Sequence, residues 1–213
     1  MKTEVAATAP FFKNGYLVWD DTTRDGVIID PGDEVDDLLN AATRNKVSVR
    51  DILLTHAHLD HITGVVRAKS KLGVPIWLHK DDLFLYDSVV EQGRMFGFAV
   101  QKQPAVDRFY QPGVPLTFGN HVVDVLHTPG HCPGGVCLAI GPSGSSGREL
   151  FVGDTLFAGS IGRTDLPGGD YDVLINSIRS VLFAFPDDTI VHSGHGPDTT
   201  IGHERRTNPF LVS

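Results

Sequence analysis

The stretch LLTHAHLDHITGV, residues 53–65, places three histidines and one aspartate within six positions, from His56 to His61. It lies between an apolar run, DILLT (51–55), which predicts a buried strand, and a segment with helical spacing at 61–73. Adjacent imidazoles buried without partners would each cost desolvation free energy. The cluster therefore predicts metal ligands rather than isolated core histidines.

Potential ligands of the same kind follow other predicted strands. His131 closes the strand and Pro-Gly turn HVVDVLHTPGH, Asp154 ends ELFVGD, and His195 lies in the predicted strand TIVHSGHG. If these strand ends share one edge of the core, their side chains converge on a single pocket. The complete set contains five histidines and two aspartates: His56, His58, Asp60, His61, His131, Asp154 and His195.

The chemistry of this set limits the choice of metal. Imidazole nitrogens and carboxylate oxygens without a thiolate suit zinc, iron or manganese, and do not suit a structural site rich in cysteine. Seven ligands are too many for one tetrahedral ion but fit two ions that share a carboxylate. The remaining histidines are interpreted as hydrogen-bonding or surface residues: His79, His121, His127, His192 and His203.

Composition describes an ordinary globular chain. The 213 residues are 41% hydrophobic and 21% charged, and the net charge is −8. This acidic balance disfavours nucleic acid as a partner, and no apolar run approaches the roughly 18 residues that a membrane helix needs. Two cysteines and no apparent secretion signal favour the reducing cytoplasm. We therefore expect one soluble, cytoplasmic domain over residues 1–213, with no membrane partner.

Local patterns predict an alternation of strands and helices. Short strands are expected at 15–20 and 26–32, and residues 134–141 and 149–154 are expected to form a hairpin across the intervening PSGSSG segment. Gly73 is expected to end the helix at 61–73. Further helices are predicted at about 33–45, 170–184 and 200–207, with one or two helices near 81–97.

The ligand motifs resemble those of the metallo-β-lactamase superfamily. THAHLDH (55–61) matches its HxHxDH motif, and TPGH, GDTLF and SGHG match its later ligand positions in the same order. GSIGRTDLPGGD (159–170) and ERRTNPF (204–210) resemble the small, single-domain bacterial type II glyoxalases. The resemblance implies an α/β fold, a four-layer αββα sandwich of two mixed β-sheets.

The same resemblance implies a role for each ligand. His56, His58 and His131 would bind one divalent ion, while Asp60, His61 and His195 would bind a second, and Asp154 would bridge them. The implied ions are zinc, with iron or manganese as alternatives. Asp60 and Asp154 would contribute to catalysis through a metal-bridging hydroxide. The implied reaction is hydrolysis of S-(R)-lactoylglutathione to glutathione and D-lactate, so the expected partner is a small, glutathione-linked thioester.

Residues around the ligands have open roles. Arg163 and Asp165 are candidate substrate contacts, since a basic residue at the first position binds a glutathione carboxylate in larger glyoxalases. Those enzymes have an aromatic residue where this chain has Asp165. Asp30 is either a support for the metal ligands or an ordinary turn residue. Cys132 is interpreted as a buried thiol rather than a nucleophile.

Two other functions remain open at this point. HITG (61–64) and GRTD (162–165) also resemble Fe(II)-dependent persulfide dioxygenases, which would act on glutathione persulfide. A non-catalytic metal-binding protein would explain the ligands but not an open pocket. A β-lactamase is disfavoured by the lack of a secretion signal. The sequence leaves the oligomeric state undetermined.

Overall fold

The computed structural model describes residues 1–144 and 147–212. The chain divides into two compact units. The first comprises Met1–Gln111 and Thr117–His121, and the second comprises Pro112–Leu116 and the chain from Val122 onward. The expectation that the whole chain is one domain stays a prediction.

The first unit contains a mixed six-stranded sheet. Its strands, in their order across the sheet, are β1 (Lys2–Ala6), β2 (Gly15–Trp19), β3 (Asp25–Ile29), β4 (Ser48–Leu53), β5 (Ile76–Leu78) and β6 (Arg108–Phe109). The pairs β1–β2 and β2–β3 are antiparallel, whereas β3 to β6 run parallel. The predicted strands at 15–20, 26–32 and 51–55 are confirmed as β2, β3 and β4 with shifted ends, while β1 was not predicted.

Helices of the first unit follow its parallel strands. They are α1 (Val35–Arg44), α2 (Leu59–Ile62), α3 (Val65–Leu72), α4 (Leu83–Asp87) and α5 (Val89–Met95), with a 3₁₀ turn at Lys80–Asp82. The predicted helix at 33–45 is confirmed. The one or two helices predicted near 81–97 are confirmed as two, α4 and α5.

The predicted helix at 61–73 is divided into α2 and α3 around Gly64. A Cβ atom on Gly64 would lie 2.2 Å from the carbonyl oxygen of Gly32, so the main chains approach each other where only glycine fits. Gly73 ends α3 as predicted, with φ of 69° in the left-handed region. The division separates the short helix that carries Asp60 and His61 from the longer α3.

A second sheet also has six strands. Its order is β14 (Thr199–Thr200), β13 (Ile190–Ser193), β10 (Glu149–Gly153), β9 (Val136–Pro142), β8 (His121–His127) and β7 (Leu116–Phe118). The pairing of β9 with β10 is antiparallel, which confirms the predicted hairpin, and β10 pairs parallel with β13. Residues 145–146 of the connection lie outside the described residues. A small hairpin of β11 (Leu156–Phe157) and β12 (Ser160–Ile161) follows β10.

Helix α6 (Tyr171–Ser180) fixes the turn that carries His131. Its first residues lie against Gly130, where a Cβ would come within 2.3 Å of the Leu174 nitrogen and where φ is 128°. The hydroxyl of Ser177 donates to the carbonyl of Pro129 at 2.8 Å. The predicted helix at 170–184 ends earlier than expected, at Ser180, and a separate 3₁₀ turn follows at Leu182–Ala184.

Helix α7 (Ile201–Thr207) matches the terminal helix predicted at 200–207. Each unit has an apolar core of its own, around Leu17, Ile28 and Leu38 in the first and around Leu150, Leu174 and Val191 in the second. Within residues 1–144 and 147–212, none of the helices has the length and apolar character needed to cross a bilayer.

Candidate metal centre

The histidines of the quoted stretch form a buried cluster in the first unit. His56 and His58 lie between the end of β4 and α2, His61 lies within α2, and none of the three is more than 7% exposed. The ring centroid of His56 is 4.0 Å from that of His61 and 4.9 Å from that of His58. Asp60 is partly exposed, and its Oδ2 lies 3.7 Å from Nε2 of His61. The four ligands predicted in this loop therefore lie together.

The Asp30 carboxylate organises this loop. Its Oδ1 accepts a hydrogen bond from the Thr55 nitrogen at 2.7 Å, and its Oδ2 accepts one from the Thr55 hydroxyl at 2.5 Å. Nδ1 of His61 lies 2.9 Å from the same Oδ2. A carboxylate in this position keeps the proton on Nδ1 and leaves Nε2 with the lone pair that binds a metal. Of the two interpretations of Asp30, the structure favours support of the ligands.

A buried ion pair supports Asp30 from the other side, and the sequence did not suggest it. Lys13 is only 2% exposed, and its Nζ donates to the Asp30 carbonyl and, at 2.7 Å, to Glu34. Oε1 of Glu34, which accepts this bond from Lys13, also accepts one from the Gly32 nitrogen at 2.9 Å. Asp30 itself has φ of 48°, a conformation that costs free energy and persists only where its surroundings fix it. Lys13 and Glu34 supply part of that fixation.

The three ligands predicted downstream lie together in the second unit. Oδ2 of Asp154 lies 3.7 Å from Nε2 of His131 and 3.6 Å from Nε2 of His195. Nδ1 of His131 lies 2.7 Å from the carbonyl oxygen of Arg163, which keeps the proton on Nδ1 and directs Nε2 toward Asp154. One carboxylate oxygen thus faces two imidazole nitrogens, as expected of a carboxylate that shares metals with both.

Gly162 makes this arrangement possible. A Cβ at that position would lie 1.8 Å from the carbonyl oxygen of Asp154 and 3.1 Å from Nδ1 of His131. No side chain can fit there unless the main chain moves. The loop after β12 therefore passes directly behind two of the predicted ligands.

Arg163 and Asp165, the two candidate substrate-binding residues, form an ion pair with each other. The guanidinium of Arg163 donates to both carboxylate oxygens of Asp165, at 2.7 and 2.8 Å, on an exposed loop. The hydrogen bond from Arg163 lowers the pKa of Asp165 to about 2, and the same bond raises the pKa of Arg163. A substrate carboxylate would compete with Asp165 for this guanidinium.

His192, one of the other histidines, has an acidic partner at each ring nitrogen. Its Nε2 lies 2.9 Å from Glu149 and its Nδ1 3.0 Å from Asp198, and the ring stacks on Phe151. Burial disfavours the charged ring, but the hydrogen bond to Glu149 and the charge of Asp198 outweigh it, so the pKa of His192 is raised. The hydrogen-bonding role expected for this residue is confirmed.

The cysteines are buried thiols. Burial raises the pKa of Cys137 to about 11, which makes it a poor nucleophile. Cys132 is likewise fully buried, as expected.

The donor set fits a divalent metal centre. Every predicted ligand offers an imidazole nitrogen or a carboxylate oxygen, and two of the imidazoles have Nδ1 engaged by a hydrogen-bond acceptor. A further polar contact of this kind joins Nδ1 of His56 to the Thr55 hydroxyl at 3.1 Å. These are the supporting contacts that metal-binding histidines use. The assignment of all seven residues as ligands stays a prediction.

A comparison with known protein families shows to which family the chain belongs. The family model for the metallo-β-lactamase superfamily matches residues 8–195 of the chain. The chain belongs to the metallo-β-lactamase superfamily. The match includes every predicted ligand and ends at His195. The predicted family is therefore confirmed, and so is an α/β fold with two mixed sheets.

Individual members of the superfamily resemble the whole chain. The hydroxyacylglutathione hydrolase GloC of Haemophilus influenzae is 41% identical over 215 residues, which cover 100% of this chain and 99% of that protein. The structure of TTHA1623 in a di-iron-bound form is 41% identical, with a TM-score of 0.86 and coverage of 98% of this chain and 100% of that one. The structure of BLEG-1 B3 metallo-β-lactamase is 36% identical, with a TM-score of 0.90 and full coverage of both chains. The chain is thus an enzyme of the metallohydrolase type.

Proposed function

We propose that this chain is a metal-dependent thioester hydrolase that converts S-(R)-lactoylglutathione to glutathione and D-lactate. The full-length similarity to GloC, a hydroxyacylglutathione hydrolase, supports this substrate. The observation that carries the proposal is the position of Asp154, whose Oδ2 faces Nε2 of both His131 and His195. A carboxylate in that position suits a two-metal hydrolase.

We assign the metal ligands as the superfamily motif suggests. His56, His58 and His131 would bind one ion, Asp60, His61 and His195 would bind the other, and Asp154 would be shared. Zinc is the proposed metal, with iron or manganese as alternatives, because the same nitrogen and oxygen donors suit all three. The di-iron form of TTHA1623 supports keeping iron among them.

The chain's own residues prepare the ligands for this chemistry. When bound, two divalent ions would supply an activated water and polarise the thioester carbonyl. Asp30 holds the proton of His61 on Nδ1, and the Arg163 carbonyl does the same for His131, so both rings offer Nε2. Asp60 and Asp154 contribute to catalysis as ligands. The departing thiolate, with a pKa of about 8.5, needs little help from a general acid.

Arg163 is the proposed contact for a carboxylate of glutathione. Its main-chain carbonyl, not its guanidinium, holds His131. Arg163→Ala should therefore raise KM for the glutathione thioester several-fold while kcat changes less. Asp165→Ala removes the competing carboxylate and should lower KM. Steady-state kinetics of both variants test this, and unchanged KM values would mean that the carboxylate is bound elsewhere.

The experiment that tests the proposal measures thiol release from S-(R)-lactoylglutathione by metal-loaded protein, with and without oxygen. We expect turnover that is independent of oxygen, with kcat/KM above roughly 10⁴ M⁻¹s⁻¹. Chelator-treated protein is the control, and a chromogenic β-lactam is assayed in parallel because of the similarity to BLEG-1. Negligible thioester turnover, or faster β-lactam hydrolysis, would overturn the proposal.

Persulfide dioxygenation is the second candidate, suggested by the resemblance of HITG (61–64) and GRTD (162–165) to the dioxygenases, and the di-iron form of TTHA1623 supports only that a similar protein binds iron. This reaction would need a single Fe(II) and would consume oxygen with glutathione persulfide as substrate. Oxygen uptake by the iron-loaded protein, absent when zinc replaces iron, would support it. The reducing cytoplasm is the proposed setting for either reaction.

A further inference from the structure

The ERRTNPF segment (204–210) contains two polar side chains that are fully buried in the second unit. Glu204 lies on α7 and Asn208 directly after it, and both are 0% exposed. Burying a carboxylate or an amide costs free energy unless the group is hydrogen-bonded. The metal and substrate assignments above use neither residue. The groups that they bind therefore indicate what their burial achieves.

Both side chains bind the turn between β11 and β12. Oε2 of Glu204 accepts a hydrogen bond from the Gly159 nitrogen at 2.9 Å and another from Nδ2 of Asn208 at 2.8 Å. The same Nδ2 donates to the carbonyl oxygen of Ser160 at 3.0 Å. The turn, which is itself exposed at Gly159, is thus held through one main-chain donor and one main-chain acceptor.

The other oxygen atoms of the two side chains are also engaged. Oε1 of Glu204 accepts from the Thr199 hydroxyl at 2.5 Å. Oδ1 of Asn208 accepts from the Phe210 nitrogen at 3.1 Å. Buried polar networks whose members are all hydrogen-bonded are rigid. Glu204 and Asn208 can therefore act as a fixed support for the turn.

The hairpin leads directly to the residues behind His131. The carbonyl oxygen of Arg163 lies 2.7 Å from Nδ1 of His131. Gly162 passes so close to Asp154 that a Cβ would lie 1.8 Å from the Asp154 carbonyl oxygen. Since only two residues separate Ser160 from Arg163, movement of the turn would displace the Arg163 carbonyl.

The strands of the hairpin are held by separate contacts. Leu156 and Ile161 belong to the apolar core of the second unit, and the Ser193 hydroxyl donates to the Leu156 carbonyl at 2.7 Å. Loss of the Glu204 or Asn208 side chain should therefore loosen the turn and the residues after it without removing the hairpin from the core. Variants of either residue are expected to fold.

We propose that Glu204 and Asn208 are positioning residues for the metal centre. By holding the turn between β11 and β12, they keep the Arg163 carbonyl against Nδ1 of His131. The inference rests on the proposed function, because it takes His131 as a metal ligand. Neither Glu204 nor Asn208 is itself a proposed ligand. Their loss should weaken metal binding less than loss of a direct partner of a ligand, which lowers affinity by about 10- to 100-fold.

Zinc affinity of the full chain, measured by competition with a chromogenic chelator, tests this role without requiring turnover. Glu204→Ala removes the group that accepts from the turn. Asn208→Ser keeps a hydroxyl that can accept from the main chain two residues later, but it lacks the NH₂ group that donates to Ser160. We expect each variant to weaken binding of the ion assigned to His131 by about 5- to 10-fold.

Two matched variants separate positioning from loss of stability. Glu204→Gln can still accept from the Gly159 nitrogen while its NH₂ group faces the Thr199 hydroxyl, which can accept as well as donate. We expect its zinc affinity to lie within about threefold of the wild-type value. Arg205→Met changes a residue on the same helix whose guanidinium binds the Phe183 carbonyl at 2.6 Å. It should keep wild-type zinc affinity even where it lowers the free energy of unfolding.

Hydrogen exchange of the Gly159 amide in the metal-free protein reports on the turn itself. We expect exchange at least about tenfold faster in Glu204→Ala than in wild type, and unchanged exchange in Arg205→Met. Wild-type zinc affinity in both Glu204→Ala and Asn208→Ser, or an equal loss in Arg205→Met, would overturn the positioning role. Weakened zinc binding in the two variants, beside a wild-type protein that releases no thiol from S-(R)-lactoylglutathione, would overturn the hydrolase proposal while supporting the positioning role.

Discussion

Replacing Asp30 by asparagine preserves the shape of the side chain but removes its charge. Oδ2 of Asp30 accepts from the Thr55 hydroxyl and lies 2.9 Å from Nδ1 of His61. In the variant, an amide that still accepts from the Thr55 nitrogen points its NH₂ group at His61. The imidazole must then move its proton from Nδ1 to Nε2, which is the proposed ligand atom.

The expected cost follows from the role of such supporting groups. Loss of an outer hydrogen-bond partner lowers metal affinity by about 10- to 100-fold, which corresponds to about 1.4–2.7 kcal/mol. Only the site that includes His61 should weaken this far. Competition with a chromogenic chelator measures both affinities, and Asp37→Asn, an exposed change on α1, is the control.

If Asp30→Asn binds two metal ions with wild-type affinity within about twofold, the contact with Asp30 does not set the state of His61. Asp30 would then serve the turn alone.

Other predictions address support, packing and pH. Lys13→Met leaves Glu34 buried without its partner and should lower the free energy of unfolding, measured with urea, by about 3–5 kcal/mol. The double variant Lys13→Met/Glu34→Gln should recover part of this loss. A loss below about 1 kcal/mol for Lys13→Met would refute the role of the pair. Gly162→Ala should strongly reduce the amount of bound metal, whereas Gly159→Ala, at φ of 72° with nothing within 4 Å of its Cβ, should retain it. Equal metal contents would be inconsistent with a collision between the Cβ introduced at Gly162 and the Asp154 carbonyl oxygen. Because folding raises the pKa of His192, its stabilisation is present below its unfolded value of 6.5 and is lost as pH rises through the folded value. His192→Gln should therefore cost more stability at about pH 5.5 than at about pH 9, by about 1–3 kcal/mol, and equal losses at both would argue against a charged His192.

The loop ligands could be predicted because their signal is local. Four candidate ligands, three histidines and one aspartate, within six positions at a strand end predict a site at His56, His58, Asp60 and His61 without knowledge of distant contacts. The break in the following helix could not be predicted, because it depends on the approach of Gly64 to the main chain of Gly32. Helical spacing continues across that break.

The residues that hold the predicted ligands in place do so through tertiary contacts, which leave no local pattern in the sequence. Lysine is usually found at the surface, so the sequence gives no sign that Lys13 is buried. Only its contact with Glu34, 21 positions away, explains its burial. Strands β5 and β6 have three and two residues, too few for alternation to reveal them. Edge strand β1 carries charged residues that masked its pattern.

Titration of metal-free protein with Zn²⁺, with thiol release from S-(R)-lactoylglutathione measured at each step, tests the central claim most directly. The account predicts no thiol release without metal and a rate that rises to its maximum at two equivalents per chain. Thiol release by the metal-free protein, or no release at any metal content, would contradict it.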